Sequence, residues 1–224
     1  MSGVVYLVGA GPGAPDLLTV RAQKVAVGKR CGRHSTVQKF INKRLVDAAR
    51  RHQVVVRLKG GDPMLFGRAQ EEIDALAAAG IRYVVVPGIT AALAASAELG
   101  VSLTRRGVSR SVAFVTPRIG EGEAAGDWVQ AALGAETVAV YMGAGEAGAI
   151  AAALIAAGKP AATPVAIAES VSLEDSRVVA GRLDELERLA AQRGSGPAVV
   201  LIGEVWRRLV LRASQPRAKN LQNA

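Results

Sequence analysis

Three apolar runs near the start of the chain each end in a glycine-bearing turn. Residues 4–8 run into Gly9-Ala10-Gly11-Pro12-Gly13, residues 54–58 into Lys59-Gly60-Gly61-Asp62-Pro63, and residues 83–86 into Pro87-Gly88-Ile89-Thr90. Short runs rich in valine, followed by a glycine turn and then helical periodicity, are the pattern of parallel strands joined by helical crossovers. Open α/β sheets receive their ligands at the carboxyl ends of the strands. Three glycine turns at such ends therefore predict one shared small-molecule pocket. The Lys59–Pro63 turn is the most informative: two glycines let a ligand approach the backbone, and Asp62 and Pro63 fix a tight turn.

The alternation continues along the chain. Further strands are expected at residues 112–116, 137–141, 165–168, 177–179 and 198–202. Helices are expected at 16–24, 36–51, 70–79, 91–99, 128–133, 146–157 and 183–192. Gly80, Gly100 and Gly158 stand where helix C-caps belong. Residues 103–110 are polar, basic and aperiodic, and separate two αβ blocks. The expected fold class is α/β, with two α/β domains and mostly parallel sheets. The N-terminal domain spans 1–110 and the C-terminal domain 111–212, with a disordered tail over 213–224.

Half of the 224 residues are hydrophobic and 21% are charged, which places the chain among globular proteins. Its apolar runs fall far short of the roughly 18 residues of a membrane span. Met1-Ser2-Gly3 leads directly into a strand without a signal-peptide layout, and a single cysteine, Cys31, fits a reducing compartment. A cytoplasmic location, with no membrane partner, is the expectation. The net charge is +9 and clustered: Lys29, Arg30, Arg33 and His34 form one group, Arg105, Arg106 and Arg110 another. Aromatic residues make up only 4% and do not interleave with these clusters. That disfavours stacking on nucleic acid and favours a polyanionic small substrate.

Several chemistries are poorly supported. Gly9 to Ala14 satisfies a G-x-G-x-x-A pattern, but no acidic residue follows at ribose-binding distance, and Pro12 removes a backbone N–H from the turn. No P-loop and no G-x-S-x-G elbow occurs. His34, His52 and Cys31 do not form a four-ligand metal spacing, and no metal is expected.

The string Val5-Tyr6-Leu7-Val8-Gly9-Ala10-Gly11-Pro12-Gly13, followed by Asp16-Leu17-Leu18-Thr19, resembles the N-terminal signature of the tetrapyrrole (corrin/porphyrin) methyltransferases. Residues 27–35, around Gly28-Lys29-Arg30, resemble the branch that C-methylates uroporphyrinogen III. So does Val56-Arg57-Leu58-Lys59-Gly60-Gly61-Asp62-Pro63, continuing through Phe66-Gly67-Arg68 to Glu71-Glu72. Val86-Pro87-Gly88-Ile89-Thr90-Ala91, Leu103-Thr104, Tyr141-Met142-Gly143 and Gly203-Glu204-Val205 agree. The likeness runs over residues 4–206.

That resemblance implies S-adenosyl-L-methionine in a cleft between the two domains, with S-adenosyl-L-homocysteine as product, and a homodimer. It implies C-methylation of uroporphyrinogen III through precorrin-1 to precorrin-2, serving sirohaem or cobalamin synthesis. Cofactor contacts would fall on Pro12, Gly60, Gly61, Asp62, Leu65, Thr90, Ala91, Met142, Val171 and Ala198. Lys29 matches a proton-donor position, and Arg30, Arg33, Arg105 and Arg106 would bind the substrate carboxylates, arginine being suited to bidentate pairing. Taken singly, Asp62 also reads as a turn-former, Thr90 as a helix N-cap, Met142 as core packing and Lys29 as part of a solvated loop. The alternatives are a later corrin-ring methyltransferase and a cofactor-binding module without turnover.

The chain departs from the family's pattern in places. Arg105 stands where a histidine is common, Pro117-Arg118 where Gly-His is common, and Val171 where many relatives have glycine. Lys24-Val25-Ala26-Val27 leads directly to Gly28-Lys29. Roughly thirty residues are missing there, enough for a whole parallel crossover, together with the family's proton-accepting aspartate. The expectation is that the numbering closes up a hidden segment near Val25 and Ala26.

Overall fold

Val4–Gly9 forms β1, the central strand of a three-stranded sheet. Val54–Lys59 (β2) and Arg82–Val86 (β3) flank it in the order β2-β1-β3, and both pairings are parallel. The computed structural model describes residues 3–20, 38–120 and 126–213. Two compact units emerge, Met1–Ala94 and Ala95–Ala224.

In the first unit, helices Gln38–Arg51 (α1) and Ala69–Ala78 (α2) cover one face of the sheet. The period-2 alternation of β1 sends Val5 and Leu7 to that face, where they meet Leu45 and Ala49 of α1 and Ala69, Ile73 and Leu76 of α2. Val8 and Val86 are buried on the other face, packed with Tyr6, Leu18, Val56 and Leu58. The parallel arrangement brings the carboxyl ends of all three strands, and so all three glycine turns, to one edge. The helix expected from residue 16 starts later. Pro15–Leu17 is a single 3-10 turn and Leu18 is extended, because proline at the first position favours a turn that then opens. The close-up near Val25 and Ala26 lies outside the described residues, as do residues 21–24 of the expected helix.

Helix Ala91–Leu99 (α3) carries the chain across the division between the units. The second sheet is built from Val112–Val115 (β4), Thr137–Tyr141 (β5), Pro164–Glu169 (β6), Arg177–Arg182 (β7) and Ala198–Gly203 (β8), ordered β4-β5-β8-β6-β7. Helices Trp128–Leu133 (α4), Ala147–Ala156 (α5) and Leu186–Ala190 (α6) connect them, and Arg207–Ala213 (α7) follows. Its core gathers Val138, Val140, Ile150, Leu154, Val165, Ile167, Leu186, Val200 and Ile202.

The α/β class with two sheets is as expected, and the second sheet adds antiparallel pairing to it. Only β4–β5 is parallel, while β5–β8, β6–β8 and β6–β7 are antiparallel. β6 turns back into β7 through a loop without a helix, which reverses direction. β8 follows β7 after a helical crossover and runs the same way, but inserts between β5 and β6. A helical connection fixes the relative direction of successive strands, not which strands become neighbours. The expected helix over 183–192 is a 3-10 turn, Leu183–Glu185, leading into the short α6, and α7 was not anticipated from the sequence. Gly80, Gly100 and Gly158 do adopt positive φ after their helices.

The boundary expected near Ser111 falls instead at Ala94–Ala95, so residues 95–110 belong to the second unit. Ser109 explains the shift. It is buried, its hydroxyl lies 2.8 Å from the Thr137 hydroxyl at the start of β5, and it donates toward backbone carbonyls of Leu103 and Ser111. The polar segment is laced to the sheet by hydrogen bonds that hydropathy does not register. The tail beyond Ala213 lies outside the described residues, and no helix among them is long and apolar enough to cross a membrane. Ser109→Ala leaves the Thr137 hydroxyl without this buried partner. It is expected to destabilise the chain by about 1–3 kcal/mol, read from the urea midpoint.

Candidate functional site

The three glycine turns of the first unit interlock. Gly11 and Gly61 exchange backbone bonds, Gly61 N–H to Gly11 C=O at 2.8 Å and Gly11 N–H to Gly61 C=O at 3.2 Å. Ala10 N–H donates to Lys59 C=O at 2.7 Å. Gly9 and Gly88 are in backbone contact: a Cβ on Gly88 would stand 2.2 Å from Gly61 O and 2.8 Å from Gly9 Cα. No side chain fits there, so these glycines serve backbone packing between turns.

Asp62 ties the second turn to the third. Its Oδ2 accepts from Gly88 N–H at 2.9 Å and its Oδ1 from Met64 N–H at 2.8 Å. Both carboxylate oxygens are thus engaged by backbone, which is the turn-forming role; the expected hydrogen bonds to a cofactor would have to be added to these. Thr90 is buried, and its carbonyl accepts from Leu93 and Ala94 N–H, so the third turn passes directly into α3. Gly60 differs from its neighbours. It is exposed, its φ lies outside the left-handed range, and no described atom lies within 4 Å of where its Cβ would be. Nothing described in the protein requires glycine at this position. Pro12, Gly60, Gly61, Asp62, Leu65, Thr90 and Ala91 all lie on this set of turns.

In the second unit, Met142, Val171 and Ala198 meet at one end of the sheet. Tyr141 pairs with Val199, and Glu169 pairs with Ala198, so the residues that follow β5 and β6 flank the start of β8. Met142 is 47% exposed at φ +57°, so it is not a core-packing residue. Val171 is buried between Ser170 at φ +49° and Ser172 at φ +67°. Glu98 on α3 steadies this loop, accepting from Ser172 N–H at 2.8 Å and from the Ser176 hydroxyl. Buried Glu169 accepts from Gly194 and Gly196 N–H at 2.7 and 2.6 Å, fixing the approach to β8. Together with Phe66 and Arg68 in the first unit, Met142, Ser170 and Ser172 are all the non-glycine residues at positive φ among the described residues. Strain of this kind collects at functional loops.

The basic residues do not join that cluster. Arg105 and Arg106 are exposed in a tight turn, Arg105 N–H to Ser109 C=O at 2.9 Å, hung from Thr137 at the opposite end of β5. Five residues of strand put this turn about 13 Å or more from the Met142 end. Lys29, Arg30 and Arg33 lie outside the described residues. A groove of about 410 Å³ on the first unit, lined by Asn42, Lys43, Asp47 and Arg50 of α1 and Ala75 and Ala79, lies away from the glycine turns.

A further group carried no assigned role in the sequence, although Lys59 and Glu72 stand inside its motifs. Glu72 is fully buried, with Lys59 Nζ 3.0 Å from Oε2 and Arg57 Nε 3.2 Å from Oε1. Burial pushes the Lys59 ammonium below its ordinary pKa of 10.5, the Glu72 carboxylate opposing it. The native state therefore sheds this proton before the unfolded chain does, and stability gains as pH rises through that interval toward 10.5. Lys59→Met removes that gain: plotted against pH between 8 and 10.5, its urea midpoint is expected to climb less than that of the unaltered chain.

Residues 25–187 match the family of Tetrapyrrole (Corrin/Porphyrin) Methylases. A siroheme synthase of Zymomonas mobilis is 42% identical over 231 residues, taking in 91% of this chain and 49% of that protein, and one of Sodalis glossinidius matches to the same extent. The chain spans about half the length of these curated relatives. Since 231 aligned positions take in only 91% of 224 residues, about 27 positions of the relative have no counterpart here. The uroporphyrin-III C-methyl transferase of Thermus thermophilus complexed with S-adenyl homocysteine is 36% identical with a TM-score of 0.80, covering 92% of this chain and all of that one. A cobalt precorrin-4 methyltransferase, 24% identical with a TM-score of 0.77, shares the fold.

Proposed function

The chain belongs to the tetrapyrrole (corrin/porphyrin) methylases, and we propose that it methylates uroporphyrinogen III on carbon with S-adenosylmethionine. The observation that carries this reading is Gly60. Gly9 and Gly88 are glycine because backbone meets backbone and Gly61 because its φ is +66°, whereas Gly60 faces open space without conformational need. A ligand that lies against the backbone accounts for it. The likeness to a structure that holds S-adenosyl homocysteine supplies the ligand's class.

In the reaction, a ring carbon of the reduced macrocycle attacks the sulfonium methyl group. A C–C bond forms, the S–CH₃ bond breaks with its electron pair staying on sulfur, and the macrocycle gives up a proton. Positive charge leaves the sulfur in the transition state, so alignment and exclusion of water carry most of the catalysis. Backbone contacts from Gly60, Gly61, Thr90 and Ala91 would hold the cofactor without fixed charge. The exposed Arg105 and Arg106 take substrate carboxylates, which a large macrocycle presents at its rim. A cytoplasmic homodimer in sirohaem or cobalamin synthesis accords with this reading.

A second reading rests on the 27 positions without counterpart: a module that binds the cofactor without turnover. Incubation with uroporphyrinogen III and methyl-labelled S-adenosylmethionine separates the two. Label in the macrocycle supports the enzyme; binding of S-adenosylhomocysteine without label transfer supports the module. Gly60→Val is expected to weaken S-adenosylhomocysteine binding by tenfold or more, about 1.4 kcal/mol or above, with the melting temperature unchanged. Unaltered affinity would remove the role of Gly60. Arg106→Ala is expected to raise KM for the tetrapyrrole and leave cofactor affinity alone.

A further inference from the structure

Directly behind the Gly60–Gly61 turn lies a charge cluster that the methyl transfer does not consume. Arg57 and Lys59, two residues apart on β2, project from the same face of the sheet toward α2. There they meet Glu72, which has no exposed surface. Arg57 Nε and Gln38 Nε2, the latter from α1, each lie 3.2 Å from Glu72 Oε1. Oε2 has no well-aligned hydrogen-bond donor among the described residues; the Lys59 ammonium, 3.0 Å away on a side chain 5% exposed, is its compensation. Gly67 leaves room for the lysine stem: a Cβ there would stand 3.1 Å from Lys59 Cε.

Lys59 is also held through its main chain, where its carbonyl accepts from Ala10 N–H. The residue immediately before Gly60 is therefore fixed at both ends, by its ammonium to a helix and by its carbonyl to the first turn. Buried ion pairs add little net stability over an apolar pair of the same volume, so a stability role accounts poorly for this arrangement. What it supplies is a defined position for the strand end.

We propose that Glu72 and Lys59 are positioning residues that set the Gly60–Gly61 turn for the adenosyl cofactor; the role rests on reading that turn as the cofactor site. The test is calorimetric titration of S-adenosylhomocysteine into the unaltered chain, Glu72→Gln, Lys59→Met and the double variant, well below their melting temperatures. Each single variant is expected to bind about tenfold more weakly or worse. The double variant removes both buried charges and leaves only the part-exposed Arg57, which water can solvate, so its melting temperature recovers toward that of the unaltered chain while its affinity stays low. In steady state the loss falls on KM for S-adenosylmethionine more than on kcat. Affinity that recovers together with the melting temperature shows a merely structural pair and overturns the proposal. So does unchanged affinity in all three variants, with the unaltered chain binding normally. Absence of binding by the unaltered chain overturns the cofactor reading and the positioning role with it. The double variant keeps the test decisive if a single variant fails to fold.

Discussion

The carboxylate of Asp62 holds the carboxyl edge of the first sheet together. Three parallel strands deliver three loops to one edge, but parallel pairing says nothing about how those loops meet. Asp62 joins two of them by accepting the Gly88 and Met64 amides, and the Gly11–Gly61 backbone exchange joins the third. Behind this layer, Lys59 and Glu72 connect the strand end to α2. The edge is thus fixed by one exposed-side carboxylate and one buried ion pair, with glycines where backbone must touch backbone.

The second unit solves the same problem with strain. Met142 and the serines on either side of Val171 adopt left-handed backbone without being glycine, at a cost of order 1 kcal/mol each. Surrounding bonds hold them there: Glu98 on the loop after β6, and Glu169 on the segment entering β8. The polar residues that sequence reading treats as surface decoration are here the fixings of the loops.

Strand positions were legible because short valine-rich runs bounded by glycine have few alternatives; all eight expected strands are present. The neighbours of β8 were not legible, since an apolar run buried on both faces reads alike in any pairing. The loop that reverses β6 into β7 did leave a signal, in the absence of any helical pattern between Glu169 and Arg177. The glycine turns gather at one edge, as three parallel strands require, but the sequence could not separate Gly88, excluded from having a side chain by Gly61 and Gly9, from Gly60, which faces open space. The attachment of residues 103–110 to the second unit depends on the Ser109 hydroxyl, whose burial no periodicity reveals. The Lys59–Glu72 pair was hidden because 12 intervening residues separate its members, and only the packing of α2 on β2 brings them together.

The place of β8 has a consequence for how the chain acquires its structure. The first sheet closes on contacts among residues 4–86, all made before the second unit begins, so it can assemble early during synthesis. The second sheet cannot. Without β8, β4–β5 and β6–β7 are two separate pairs with open inner edges, and the strand that joins them is the last to emerge. Pairing β5 with a strand some sixty residues later carries a large loop-closure cost and slows this step. Until then the apolar edges of β5 and β6 are exposed templates for other chains. The waiting interval of the nascent chain is therefore set by a single central strand.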